Sequence, residues 1–251
     1  MEEVSKMKSN NIKENFILLL SLCLFMAAML SMGCTGDSKA DEQKIPVSSP
    51  AKEIHGIDVS HYSGTVDWTK VKADGYVFAF AKATEGMDDN DPMFAAHWPA
   101  MKKAGLIRGA YHFYVSEDDP VKQAEFFIQT VTLEKSDLAP VVDIEILGKG
   151  TQPGLASRLQ TFLDTLEKHY GIKPIIYTDR GFWDKNLGDG FGSYPLWLAE
   201  YGTQSPKLPQ GWTTYWLWQW KDDAAVPGVE KTADLSRFNS KEKDFSQLLL
   251  K

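Results

Sequence analysis

The sequence predicts an α/β fold, a parallel TIM-like (β/α) barrel of eight strands in which the last crossovers are shortened. Eight short apolar or alternating runs follow residue 54. Amphipathic stretches of helical length separate the early runs, whereas Gly- and Pro-containing loops separate most of the late ones. Because residues 54–251 lie at the lower edge of the size range of such barrels, we expect some of the usual helices to be missing.

Each predicted strand is a short run that is apolar throughout or alternates in polarity, which is the pattern of a strand in a buried or half-buried sheet. In chain order the runs are HGIDVS from 55, YVFAFAK from 76, IRGAYHF from 107, APVVDIE from 139, KPIIYT from 173, PLWLAE from 195, TYWLWQW from 214 and TADLS from 232.

Helices are predicted where Asp or Pro begins a stretch of helical periodicity, and Gly ends two of the three long stretches, at Gly105 and Gly171. The long stretches are residues 91–105, 119–131 and 153–171. A shorter turn of helix is predicted over residues 67–75, directly after the first strand. The alternation of strand and helix therefore fades toward the C-terminus.

The N-terminal segment resembles an export signal. Residues 16–33 are apolar enough for the core of a signal peptide or a short membrane span, and lysines precede them. LSMGC, which ends at Cys34, resembles a bacterial lipobox, although Ser31 stands where Leu is usual. We therefore predict a lipoprotein-type signal peptide over residues 1–33 and lipidation of Cys34. A plain signal peptide and a retained membrane anchor are the alternatives.

Residues 34–53 consist largely of Ser, Lys, Asp, Glu and Pro and contain few large apolar side chains, so we predict a flexible tether. Each reading of the N-terminus exports the domain, to the periplasm or the cell exterior. A lipid on Cys34 would join it to a membrane.

Composition argues against several functional classes. The net charge of -7 disfavours nucleic-acid binding, which needs clustered Lys and Arg. The two cysteines, Cys23 and Cys34, leave the region beyond them without a thiol for catalysis or a thiolate metal site. The histidines show no H-E-x-x-H spacing, and no G-x-S-x-G motif occurs. We expect a monomer that uses neither a metal nor another cofactor.

Polar or aromatic side chains stand at the C-terminal end of every predicted strand. In barrels of this kind the catalytic groups gather at that face, so these scattered positions form one candidate site. The positions are Asp58, Glu85, His112 with Tyr114, Asp143 with Glu145, Tyr177 with Asp179, Trp197 with Glu200, Gln219, and Asp234.

Asp143 and Glu145 are the centre of this candidate site. They are two residues apart on a strand, so both side chains should project to one side, with Ile144 on the other. Two carboxyl groups facing one space, one of them protonated near neutral pH, are the minimal requirement for glycosidic bond cleavage. Burial and mutual repulsion should raise the pKa of one above that of the other. A structural pair bonded to Arg108 or Arg180 is the alternative.

Aromatic residues are numerous, and flat rings suit stacking on sugars, although core packing explains most single cases better. In the run YWLWQW, alternation puts Trp216, Trp218 and Trp220 on one face, and Leu217 and Gln219 on the other. The pattern leaves open which face points into the barrel.

The domain resembles glycoside hydrolase family 25, the lysozymes that cleave peptidoglycan. The stretches that carry the resemblance occur in the family's order from residue 54 to the C-terminus. They are GIDVSHYSGTVDW, FAFAKATEG, DPMF, KKAGLIRGAYHFY, PVVDIE, IIYT, LWLAEY, WLWQW and ADLSRFN. Ser63 and Ser236 depart from the Gln and Asn that are common in the family, which bears on subsite detail rather than on the acids.

The resemblance implies an irregular barrel with eight strands and about five helices, acting on the β-1,4 bond between N-acetylmuramic acid and N-acetylglucosamine. It implies Glu145 as proton donor, Asp143 as its ionised partner, and Asp58 and Asp234 as supporting acids. Together with the strand-end pattern it predicts the following substrate-binding residues: Tyr62, Glu85, Tyr111, His112, Tyr177, Trp197 and Gln219.

Three questions stay open at this level. A substrate-assisted, retaining route through the 2-acetamido group is our hypothesis, with inversion and a covalent Asp143 intermediate as alternatives. A glycosidase for another 2-acetamido glycan such as chitin would share this logic. A glycan-binding lipoprotein without turnover is a third possibility, which the intact acids argue against.

Overall fold

The computed structural model describes residues 53–148 and 153–251, so the predicted signal peptide, Cys34 and the tether up to residue 52 lie outside the described residues. The described chain forms a sheet of nine strands. They are β1 His55–Val59, β2 Phe78–Glu85, β3 Asp89–Asn90, β4 Ile107–Phe113, β5 Val141–Asp143, β6 Ile175–Asp179, β7 Leu196–Ala199, β8 Leu217–Ala224 and β9 Ala233–Phe238.

Eight of these strands close into a barrel, and they match the eight predicted runs. Hydrogen-bonded neighbours follow the order β1-β9-β8-β7-β6-β5-β4-β2, and a parallel pairing of β1 with β2 closes the ring. The ninth strand, β3, lies outside the ring and pairs antiparallel with the end of β2.

The prediction that all barrel strands run parallel is wrong for β9. This strand is antiparallel to both of its neighbours, β8 and β1. Only residues 225–232 connect β8 to β9, and a parallel crossover needs about a dozen residues or more. The chain therefore turns back as a hairpin, which is how the last crossover is shortened.

Five α-helices occur in the described residues, four of them near the predicted positions. They are α1 Trp68–Ala73, α2 Phe94–Lys103, α3 Pro120–Thr130, α4 Leu155–Tyr170 and α5 Arg180–Asn186. The sequence pattern did not predict α5, which begins directly after β6. Its N-terminus is capped by the Asp179 side chain, which accepts a hydrogen bond from the Phe182 N–H.

The core has two layers separated by the sheet. Inside the barrel, the side chains that alternate inward pack on one another, including Phe78, Phe80 and Trp197, with the last two stacked at 4.5 Å between ring centroids. Outside it, the helices cover the opposite faces of the strands. Glycine is required at Gly56 and Gly109, because a Cβ there would collide with the rings of Phe78 and Phe80.

Within residues 53–148 and 153–251, no helix combines the length and the apolar character needed to cross a bilayer.

Candidate active site

A pocket of about 200 Å³ opens at the C-terminal ends of the barrel strands. Nine of the eleven predicted site residues line it. The lining consists of Asp58, Ser60, Tyr62, Lys82, Tyr111, Phe113, Asp143, Glu145, Tyr177, Trp197, Gln219 and Asp234. The lining leaves out Glu85 and His112 and, of the other strand-end positions, Tyr114, Asp179 and Glu200.

Gln219 organises one wall of the pocket. Its amide nitrogen donates to both carboxylate oxygens of Asp58, at 3.0 Å each, and lies 3.4 Å from Asp234. Its amide oxygen accepts hydrogen bonds from the hydroxyls of Tyr177, at 2.8 Å, and Tyr201. Leu217 and Gln219 thus lie on the inner face of β8.

Asp58 and Asp234 are direct neighbours across the β1–β9 pairing. Burial, followed by the charge of Asp234, raises the pKa of Asp58 well above its ordinary value, against the effect of the Gln219 hydrogen bond. Burial also raises the pKa of Asp234 to about 6, although the Asp223 N–H donates to it. At neutral pH these two acids therefore hold a proton more readily than exposed acids do.

Asp143 is the last residue of β5, and Glu145 follows just after it. Ile144 between them is buried in the outer core, while both acids line the pocket, as the alternation predicted. Asp143 is only 8% exposed, and its Oδ1 has no hydrogen-bond partner among the described residues. This oxygen is thus a buried acceptor whose hydrogen-bonding capacity is unused among the described residues.

Asp143 is buried, whereas Glu145 is only half-buried. Burial, followed by the nearby Glu145 charge, raises the pKa of Asp143 well above its ordinary value, whereas Lys82 opposes the shift. The Glu145 charge therefore acts directly on the protonation of Asp143.

Lys82, in the KATEG stretch that resembles family 25 and implies a binding or shaping role, also lines the pocket. Its ammonium lies 2.5 Å from Glu85 and 5.0 Å from the centre of the Phe113 ring. The position of Lys82 at the inward end of β2 was a usable signal, since Phe78 and Phe80 precede it at the same parity.

Glu85 lies beside the pocket and lines an adjoining hollow of about 370 Å³ with Phe113, Val115, Ile146 and Glu117. A second hollow of about 190 Å³ adjoins the pocket near Asp58, Tyr62 and Asp234. Each hollow shares lining residues with the pocket, Phe113 in the first and Asp58, Tyr62 and Asp234 among those in the second.

The substrate-binding role predicted for His112 does not fit its position. The ring is fully buried on the outer side of β4, where it contacts Phe162 of α4. Its two nitrogens lie 2.8 Å from the Thr84 hydroxyl and 3.1 Å from the Gln123 amide oxygen. Burial lowers the pKa of His112 to about 4, so the ring is neutral at physiological pH. It supports the strand instead of contacting the pocket.

Aromatic residues serve both the pocket and the core. Tyr62 is 67% exposed at the mouth, while Trp197 is buried at the base. Trp218 lies on the outer face of β8, where the Arg237 guanidinium stacks over it at 4.1 Å. Tyr201 reaches the pocket wall through its hydroxyl, which donates to the Gln219 amide oxygen.

Carboxyl groups at the carboxyl ends of barrel strands, with an aromatic residue at the mouth, define a site typical of glycoside hydrolases. Residues 57–229 match the family model described as glycosyl hydrolases family 25, and the chain belongs to this family. It is therefore a glycoside hydrolase of the lysozyme and muramidase family, in which peptidoglycan is the characteristic substrate.

Relatives agree with this assignment. The Escherichia coli O157:H7 protein YegX is 36% identical over 197 residues, which cover 76% of this chain and 71% of YegX. Lysozyme M1 of Streptomyces globisporus is 33% identical over 199 residues, covering 74% of this chain and 68% of the lysozyme. The crystal structure of a bacterial lysozyme from Streptomyces coelicolor superposes with a TM-score of 0.72 and 30% identity, covering 78% of this chain and 94% of that one.

Proposed function

We propose that the protein is a muramidase, which hydrolyses the β-1,4 bond between N-acetylmuramic acid and N-acetylglucosamine in peptidoglycan. The observation that carries the proposal is the Asp143 and Glu145 pair, facing one pocket in a barrel of the lysozyme family. The names of relatives support the choice of bond, since two fungal ones are N,O-diacetylmuramidases at 26% and 28% identity.

Glu145 is the proposed proton donor. Its carboxyl group lines the pocket and is only half-buried, so it can reach a leaving oxygen and afterwards exchange protons with water. As the glycosidic bond breaks, the Glu145 proton passes to the departing sugar oxygen. The resulting carboxylate then takes a proton from the water that attacks the sugar carbon.

Asp143 is proposed to orient the 2-acetamido group of the muramic acid. The acetamido oxygen attacks the anomeric carbon as the glycosidic bond breaks, and an oxazolinium ion forms. The carboxylate of Asp143 accepts a hydrogen bond from the acetamido N–H and stabilises the developing positive charge. Its Oδ1, buried and without a partner among the described residues, supports this role.

Asp58 and Asp234 are proposed as supporting acids, held by Gln219 on the opposite wall. Tyr62, Tyr111, Tyr177, Trp197 and Gln219 are proposed to shape the pocket and contact the sugars. Glu85 lines the adjoining hollow and is proposed to act from there.

The lipid anchor is part of the proposal and concerns Cys34, outside the described residues. Metabolic labelling with palmitate that is lost in the Cys34→Ala chain would support it. Label retained in that variant would contradict it.

Product analysis tests the bond that is cut. Purified peptidoglycan is digested, and the fragments are reduced and identified by mass spectrometry. A muramidase leaves reducing ends at muramic acid, whereas reducing ends at glucosamine would contradict the proposal. Chitin oligomers, assayed in parallel, test the alternative specificity, and faster cleavage of chitin than of peptidoglycan would favour it.

Removal of the proton donor gives the largest expected change in activity. The Glu145→Gln variant should lose about 10²- to 10⁴-fold in turnover of peptidoglycan, because general acid catalysis is lost. The Glu125→Gln variant, altered on the exposed side of α3, is the matched control and should retain normal turnover. Near-normal turnover of Glu145→Gln would remove Glu145 from the role.

Proton NMR of early products distinguishes the routes. The substrate-assisted route retains the β-anomer, and an initial α-anomer would exclude it.

A further inference from the structure

Lys82 is the one cation among the residues that line the pocket in the described part of the chain. Its side chain is only 11% exposed. Four carboxyl groups share the same lining, those of Asp58, Asp143, Glu145 and Asp234. A single, largely buried positive charge among four acids has a strong influence on which of them is ionised.

A β-bulge in β2 determines how Lys82 is held. Lys82 pairs with Tyr111 of β4, but Thr84 pairs with the very next residue, so one extra residue is inserted in β2. Strict alternation would give Lys82 and Thr84 the same face. The bulge instead turns Thr84 outward, where its hydroxyl meets His112 at 2.8 Å.

Glu85 is returned to the side of Lys82 by this extra residue. The Lys82 ammonium can therefore contact Glu85 at 2.5 Å, three residues along the chain. The same ammonium lies over the ring of Phe113, whose direct neighbour in the β4–β5 pairing is Asp143. Two contacts thus fix the position of the charge, on the side of the pocket that carries Asp143.

We propose that Lys82 is a positioning residue for catalysis: clamped by Glu85 across the β2 bulge, it presents a fixed positive charge to Asp143, so that Asp143 ionises while Glu145 keeps its proton. This inference rests on the proposed function. In this inference, Lys82 determines which of the two acids is ionised, although it touches neither the scissile bond nor the transferred proton.

The groups that face Asp143 explain why such a charge is needed. Burial and the charges of Glu145, Asp58 and Glu85 all raise the pKa of Asp143, and Lys82 lowers it. Tyr111 and Tyr177 beside it stay neutral, because burial raises the pKa of both hydroxyls well above the ordinary value. Asp234 on the far wall adds a further acid. Of these groups, Lys82 alone favours ionisation of Asp143, and it limits a pKa that stays well above the ordinary value.

The test is the pH dependence of kcat/KM for peptidoglycan, measured on the full chain as wild type, Lys82→Met and Lys82→Arg. Activity is lost on acidification when Asp143 takes up a proton. Without the positive charge, the pKa of Asp143 rises, so the acidic limb in Lys82→Met should move to higher pH by about one pH unit. Lys82→Arg keeps the charge and should keep the limb near its wild-type position.

Two outcomes would overturn the inference. One is a uniform loss of activity in Lys82→Met with an unmoved acidic limb, which would indicate a structural or binding role. The other is a limb that moves equally in Lys82→Met and Lys82→Arg, since charge would then not be the cause.

A measurement on the wild-type chain does not depend on the folding of any variant. Carbon-13 NMR of the labelled carboxyl groups should show the Asp143 signal titrating at lower pH than that of Glu145, and the reverse order would overturn the inference. If the wild type does not cleave peptidoglycan, the proposed function fails, whereas the order of titration and its reversal or persistence in Lys82→Met still decide the role of Lys82.

Discussion

Two clusters of charged side chains lie at opposite ends of β4, and they are built in opposite ways. At the start of the strand, outside the barrel, Arg108 is 4% exposed and binds Asp137 through two hydrogen bonds of 2.9 and 3.0 Å. It also donates to Glu134 and to the Trp98 carbonyl, and it stacks on the Trp98 ring at 3.9 Å. One cation thus binds two acids and a carbonyl with four of its five N–H donors.

At the other end of the same strand, the pocket holds four acids and one lysine. Burial raises the pKa of Asp58, Asp143 and Asp234, whereas hydrogen bonds from Lys102 and Arg108 lower the pKa of Glu134. The same chemical groups therefore stabilise the fold at one end and oppose it at the other. Such local conflict is typical of functional sites, where geometry for chemistry takes precedence over stability.

The Arg108 cluster gives the largest expected effect on stability. Arg108→Met leaves Asp137 buried without its cation, and the free energy of unfolding should fall by about 3–5 kcal/mol. Urea denaturation at pH 7 measures it. Arg180→Met is the control, because Arg180 is 44% exposed and lies 3.5 Å from Asp184, and its loss should cost less than about 1 kcal/mol. An equal loss of unfolding free energy in the two variants would contradict the expectation that the buried Arg108 cluster stabilises the fold more than an exposed ion pair does.

Removal of an acid from the pocket should raise the free energy of unfolding at pH 7, which is the opposite of the effect expected for Arg108→Met. A carboxyl group with a raised pKa binds protons more tightly in the folded state than in the unfolded chain. The stability contributed by Asp58, Asp143 and Asp234 is therefore full below about pH 4 and is lost as the pH rises through their folded pKa values, about 6 for Asp234. Asp58→Asn should flatten this decline and stabilise the protein at pH 7 by about 1.4 kcal/mol for each pKa unit removed, while slowing catalysis.

Denaturation at pH 4 and at pH 7 checks this expectation, with the exposed Asp189→Asn as the control that should keep the wild-type decline. If Asp58→Asn were less stable than wild type at pH 7, the pocket would be stabilising in the same manner as the Arg108 cluster.

A substitution at the mouth of the pocket should have the smallest effect, a moderate change in KM for peptidoglycan. Tyr62→Ala removes an exposed ring that lines the pocket, so KM for peptidoglycan should rise about two- to ten-fold with little change in stability. Val121→Ala, 38% exposed on α3, is the control and should leave KM unchanged. A large loss of stability in Tyr62→Ala would show that the ring belongs to the core.

Strand parity explains which site residues could be predicted. The D-x-E spacing correctly placed Asp143 and Glu145 on one face. The same rule, applied to β4, would have excluded His112, because Tyr111 and His112 are adjacent and cannot both face the pocket.

Strand parity does not predict the bulge in β2 or the direction of β9. The inserted residue in β2 is defined by the pairing with β4. The contact between Lys82 and Glu85 therefore cannot be predicted from the sequence pattern alone. An alternating run predicts a strand but not its direction, and only the short connection before β9 indicated a hairpin.

The direction of β1 separates the entry of the backbone into the barrel from the pocket. This strand begins at His55, at the end of the barrel remote from the pocket, and Asp58 near its other end lies in the pocket wall. A glycan can therefore occupy the pocket without displacing the backbone that enters β1.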